Sequence, residues 1–214
     1  MKMSRNRWLI CGATAAVSLM AVVASVATAN AATPHHASGK PAAQVAPVPQ
    51  ASSSGSSDQR RMGAVIPTGL DAGKGGDWVI YGVSAKDAQL PGTTFGFMIG
   101  QRRNGTVTPT TETNEIQGSD LALGFHATEG SMTVDPGGVE PTFGYYVGHP
   151  AKITVQAGGR TVVASTAVWS HNRSVTVFWF DTDKVNGSTT PSHLAAYDSA
   201  GHRLPQGNAE IGIG

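Results

Sequence analysis

AKITVQAGGRTVVAS, residues 151–165, decides how the folded part of this chain is read. Two short runs rich in β-branched residues flank Gly158-Gly159, and paired glycines suit a primed two-residue turn because both central positions need φ > 0. With the turn centred there, Ala157 faces Arg160, Val155 faces Val162 and Ile153 faces Ala164. That register puts Ile153, Val155, Val162 and Ala164 on one face and Lys152, Thr154, Gln156, Thr161 and Ser165 on the other, as a half-buried hairpin requires.

The same grammar extends in both directions. In LAAYDSAGHRL (194–204), Asp198-Ser199-Ala200-Gly201 fits a type I turn closed by a left-handed glycine, which returns Leu204 opposite Ala196. In TTFGFMIGQRRNGTVTPT (93–110), Asn104-Gly105 suits a type I′ turn, with Phe95, Phe97 and Ile99 on one face. Its return arm is threonine-rich and holds Pro109, which cannot donate to a ladder, so an edge strand is expected. VTVFWFD (175–181) sends Val175, Val177 and Trp179 to one face and Phe178 and Phe180 to the other, the pattern of an interior strand covered on both sides. No stretch beyond residue 63 has a helical period. Short strands at 8 to 12-residue spacing predict an all-β fold, an antiparallel immunoglobulin-like β-sandwich over residues 63–214, with Trp179, Val177, Ile153, Val155 and Val162 sharing one core.

Upstream the composition changes twice. Lys2, Arg5 and Arg7 precede an uncharged run from Trp8 to Ala27, and Ala29-Asn30-Ala31 offers small residues to signal peptidase at Ala29 and Ala31, so residues 1–31 read as a signal peptide. The alternative is a membrane anchor formed by residues 8–27. Residues 32–62, rich in Pro, Ser and Ala and free of aromatics, read as a disordered linker ending in the dibasic pair Arg60-Arg61. Cleavage removes Cys11, the one cysteine, so the sandwich has no disulfide and no thiolate chemistry. It leaves 12 Lys+Arg against 14 Asp+Glu, a formal charge of −2, which argues against nucleic acid as a partner. Membrane contact is expected only if the N-terminal segment stays uncleaved.

Ligand-type residues are sparse. Asp181 and Asp183 begin the alternate-oxygen pattern of a calcium loop, but Val185 breaks it and no closing acid follows, so a turn after the strand is the preferred reading. His126 and Glu129 are three apart, on opposite faces of a strand unless a turn intervenes. His149, His171 and His202 fall in turns, where solvated imidazoles are expected. Near the mature N-terminus His35-His36 is placed wrongly for an amino-terminal copper chelate. Gly73-Lys74-Gly75-Gly76-Asp77 opens no helix and lacks the Gly-Lys-Ser/Thr ending of a phosphate loop. No catalytic, metal or cofactor residue is assigned, and no cofactor is expected.

At GRTVVASTAVW, VTVFWF and LAAYDSAGHRLP the order of elements resembles the C-terminal sandwich domains of uncharacterised secreted or membrane-anchored actinobacterial proteins, over residues 140–206. The resemblance implies a sandwich fold and export, and brings no site residues. Two functions follow as expectations: a non-catalytic envelope or extracellular module contacting an envelope protein or cell-wall glycan, or a small secreted hydrolase in which Asp181 and Asp183 meet Glu129 or Asp135 after folding. The first is preferred, because no local catalytic signature is present. Intact mass or N-terminal sequencing of the exported protein should show a chain beginning at Ala32; a full-length chain in the membrane fraction would make residues 8–27 an anchor.

Overall fold

The structure, a computed structural model, describes residues 60–86, 88–134 and 138–208. The expected signal peptide and nearly all of the expected linker lie outside these residues. The described part contains no helix. Its strands are β1 (Arg61–Asp71), β2 (Asp77–Ser84), β3 (Phe95–Arg103), β4 (Thr106–Asn114), β5 (Gly124–Glu129), β6 (Met132–Val134), β7 (Gly138–Glu140), β8 (Phe143–Val147), β9 (Lys152–Ala157), β10 (Arg160–Val163), β11 (Ser165–Val168), β12 (Val175–Trp179) and β13 (Ser192–Tyr197). All pairings between them are antiparallel. They form sheets ordered β1-β2-β3-β4, β11-β12-β8-β5 and β10-β9-β13, with β6-β7 as a small separate hairpin.

The turns form where the sequence places them. Gly158 and Gly159 have φ of +54° and +73°, the primed geometry, and Val162 pairs with Val155. Asn104 and Gly105 have φ of +49° and +82°. β4, which carries Pro109, is an edge strand, and a register shift accompanies the proline. After β13 the amide of Leu204 donates to Ala196 O at 2.9 Å, closing the Gly201 turn.

The sheet β11-β12-β8-β5 is the middle layer. Val175, Val177 and Trp179 of β12, with Phe143, Tyr145 and Val147 of β8, pack against Trp78, Ile80, Phe95, Phe97 and Ile99 of the first sheet. From the opposite face, Tyr146, Phe178, Phe180 and Phe125 pack against Ile153, Val155, Val162, Leu194 and Ala196 of the β10-β9-β13 sheet. This corrects the expectation of one shared core. Trp179 and Val177 are buried, as are Ile153, Val155 and Val162, but in two cores on opposite faces of the middle sheet, because β12 is covered on both sides. The end of the linker is corrected as well. Arg61 begins β1, and the Arg60 guanidinium makes two hydrogen bonds to the Glu112 carboxylate, at 3.2 and 2.9 Å.

One contact locks the first two layers together. The indole of Trp169, between β11 and β12, lies against Phe95 and Phe97 with ring centroids 4.8 and 5.0 Å away and donates to Met62 O at 3.1 Å. It occupies the space over Gly82, where an added Cβ would stand 2.4 Å from its Cζ2. Gly82→Ala should therefore cost about 1–3 kcal/mol by overpacking. Trp179→Ala, which empties a buried site and removes a 3.1 Å hydrogen bond to Thr68 O, should cost about 3–5 kcal/mol. Urea melts of both variants check these values, and a change below about 1 kcal/mol for Trp179→Ala would place that ring outside the core.

Candidate functional site

Several ionisable side chains gather where the edge of the first sheet, β4, meets the edge of the middle sheet, β5. A groove of about 630 Å³ there is lined by Glu112, Asn114, Glu115, Gln117, Thr128 and Glu129 among others. β4 delivers Glu112 to its rim, where Arg60 pairs with it. β5 bulges between His126 and Glu129, and Ala127 takes a φ of +45° in the bulge, a conformation that costs a non-glycine residue and persists only where surroundings enforce it.

The loop from Glu115 to Leu123 is held by buried polar side chains. His126 is fully buried, with its ring stacked on Tyr145 at a centroid distance of 5.1 Å. Its Nε2 lies 2.7 Å from Ala122 O, a carbonyl that can only accept, so the hydrogen sits on Nε2. Nδ1 is hydrogen-bonded with Glu115 Oε2. Glu115 Oε1 accepts from the amides of Ile116 and Gln117 at 2.9 and 2.7 Å. Asp120 Oδ2 accepts from the amide and hydroxyl of Thr94 at 2.6 and 2.9 Å. Burial, with the charges of Asp120 and Glu115, holds the Tyr145 phenol far above the usual tyrosine range, so it stays neutral and donates to Asp120 O at 3.2 Å. Glu115 and Asp120 escaped the sequence reading because their partners lie 11 and 26 residues away. Nothing local marks either as buried.

The described residues singled out from the sequence lie at separate places in the fold. Asp181 Oδ1 accepts from the amide of Asp183 at 3.0 Å, and its Oδ2 pairs with Lys184 Nζ at 2.9 Å. The hydrogen bond from Lys184 and the Asp183 amide hold its carboxyl below the usual range. This is the polar turn expected after the strand. Asp183 lines a different recess, beside the β9-β10 hairpin with Arg160 and Val163. Glu129 and Trp179 both pair with Phe143, from opposite sides, so Glu129 and Asp181 reach the same end of the middle sheet. With β8 between them their strands are about 10 Å apart. Asp135 lies outside the described residues. His149 and His202 are exposed, and His202 Nδ1 pairs with Asp198 at 3.0 Å. His171 lies against the Trp169 ring. Among the described residues no group of three His, Cys, Asp or Glu side chains is disposed to hold a metal ion.

Two carboxylates near the groove have no cationic partner among the described residues. Glu129 is half-buried, and desolvation raises its pKa. Glu140 is fully buried: its Oε2 accepts from Thr110 Oγ1 at 2.6 Å, while Oε1 has no hydrogen-bond partner. Desolvation raises its pKa, the hydroxyls of Thr110 and Thr111 oppose the rise, and the charge of Glu129 adds to it. A raised folded-state pKa means that ionisation favours the unfolded chain, so this cost grows as pH rises from the ordinary glutamate range through the raised value. Glu140→Gln keeps the shape and removes that cost. It should stabilise the protein by about 1–2 kcal/mol at pH 7 and leave stability unchanged near pH 3.5, as urea melts at the two pH values would show.

No family model matches the sequence, and no curated protein or solved structure is detectably similar to it.

Proposed function

We propose that this chain is a non-catalytic interaction module of the cell exterior, secreted or envelope-associated, that works by binding rather than by turnover. One observation carries the reading: of the ionisable side chains that line the groove, all but Glu129 are already engaged by the fold, and Glu140 near it is fully buried against Thr110 rather than open to the groove. Glu112 holds Arg60, Glu115 holds His126 and two amides, and both ring nitrogens of His126 have partners. A hydrolase of the two-carboxylate type needs a second free carboxyl across the scissile bond from the first. Glu129 has no such companion in the groove lining.

The architecture supports an immunoglobulin-like reading of the C-terminal two layers. In that topology the first, second, fifth and fourth strands share one sheet and the third and sixth lie in the other. Taking β5, β8, β9, β11, β12 and β13 as those six in chain order, the sheet orders β11-β12-β8-β5 and β10-β9-β13 follow the pattern, with β10 as an added edge. The final strand is reduced to the bridge between Tyr197 and Arg203. Such sandwiches commonly serve recognition, through loops and exposed faces, although a fold alone does not assign a function. The basic and apolar pattern of residues 1–31 supports export.

Glu129 is the observation that favours a hydrolase instead, since a desolvated carboxyl in a groove is a candidate general acid. Incubation of the purified exported protein with isolated cell envelopes separates the two. The interaction reading expects saturable co-sedimentation without release of reducing sugar or soluble peptide, unchanged in Glu129→Gln. Release of either product by the native protein, lost in Glu129→Gln, would establish the hydrolase.

A further inference from the structure

The outward face of the β10-β9-β13 sheet carries an arrangement that its role as a core cover does not require. Three cross-strand rungs run across it. In the first, Tyr197 pairs with Lys152 on one side and with Arg203 on the other. In the second, Thr154 and Ala195 lie opposite one another. In the third, Gln156 pairs with Thr161 and Ser192. Because Thr154 and Ala195 are small and lie between taller neighbours, the face is hollowed into a concavity of about 470 Å³.

The chemistry of the hollow is one-sided. Lys152 and Arg203 stand at its charged end, and among the described residues no carboxylate lines it. The Lys152 ammonium lies 5.0 Å from the centre of the Tyr197 ring, a contact that favours this position without neutralising its charge. The Arg203 guanidinium donates to Gln206 Oε1 at 2.9 Å, its one side-chain hydrogen bond among the described residues. The carboxylate that follows Tyr197, Asp198, is occupied by His202 and by the amides of its own turn. At the far end the Gln156 amide donates to Thr161 Oγ1 at 2.7 Å, leaving its carbonyl and the hydroxyl hydrogen for a ligand. A bulge between Ser192 and Ala195, with His193 at a φ of +54°, turns that imidazole onto the same lining. The charged and the amide rungs are about 13 Å apart, two steps of two residues along a strand.

We infer that this face binds an acidic oligosaccharide, a saccharide carrying carboxylates, with Lys152 and Arg203 taking a carboxylate and Gln156, Thr161 and the Tyr197 hydroxyl taking sugar hydroxyls. The proposal rests on the interaction reading above and names the ligand class for it. A polyanion without hydroxyls would leave the amide rung unused. A neutral glycan would leave two cations desolvated without a partner, a cost that discriminates against it.

Calorimetric titration of the full exported chain tests this, with a short oligogalacturonate as probe and a cello-oligosaccharide of equal length and inorganic polyphosphate as comparators. Binding of the uronate should weaken on addition of salt. It should fall on the order of tenfold in Lys152→Ala and in Arg203→Ala, both exposed positions where folding is undisturbed. Ala195→Leu, which fills the floor, should abolish it, and Arg173→Ala, on a separate turn, should leave it unchanged. The inference is overturned if the uronate does not bind, if the Lys152→Ala/Arg203→Ala double variant binds as well as the native chain, or if the neutral oligomer or polyphosphate binds as tightly as the uronate. If the uronate fails while the protein still co-sediments with envelopes, only the ligand class falls. If envelopes are hydrolysed through Glu129, the interaction reading falls instead.

Discussion

β12 and its neighbour β8 are dry on both faces along their whole length, and the rest of the molecule is arranged to keep them so. A strand in a two-layer sandwich turns one row of side chains to water. Here Val175, Val177 and Trp179 point one way while Phe178 and the following Phe180 point the other, and leaving either row exposed would forgo about 1.5–3 kcal/mol for each large side chain. The β1-β4 sheet must therefore cover one face and the β10-β9-β13 sheet the other. Even the polar member of β12, Thr176, is buried, its hydroxyl donating to Gly148 O at 3.2 Å. The first four strands are thus a required layer of the same folding unit as the last nine.

A layer built on dry strands leaves its polar business to the edges. β4 closes the first sheet with threonines and a proline, a composition that discourages pairing with another chain. Where it meets β5, the loop between them is secured by buried charge: Glu115 on His126, Asp120 on Thr94 and the amide of Phe95. Burying such groups costs desolvation that their partners offset, so they are weak evidence of added stability. The loop they fix carries Ile116 and Leu123 outward, each 67 % exposed. The groove beside it follows from how the two sheet edges are joined.

The parts of the fold written in local pattern were legible beforehand. Gly158-Gly159 and Asn104-Gly105 need left-handed backbone, so the turns and the registers they impose follow from residue type alone. The two-faced apolar alternation of VTVFWF announces an interior strand, and Asp181 after it announces a turn. What alternation could not say is which sheet covers which face. Trp179 and Val155 each have an apolar face, and assigning both to one core was the simplest arrangement consistent with a two-layer sandwich. His126 was illegible for a related reason: its acid is not Glu129, three residues on, but Glu115 at the end of another strand, and its burial depends on Tyr145 from a third. Buried charge is specified by tertiary contact, on which a local pattern is silent.

The same distinction bears on the outer face of β10-β9-β13. A wet face whose only duty is solubility mixes both signs of charge, because like charges on neighbouring strands repel and opposite ones help slightly. Lys152 and Arg203 instead flank one tyrosine in a single rung, with no acid among the described lining residues to offset them and with small residues behind. Nothing in the core demands this, since Ile153, Val155 and Leu194 do their packing on the other side of the same strands. The buried charges at the β4-β5 junction are satisfied within the chain and explain the shape of a loop. Among the described residues the exposed cations on the third sheet are met by Tyr197 and Gln206, neither of them anionic, and an arrangement that departs from local optimality without an internal compensation is where a binding surface is to be sought.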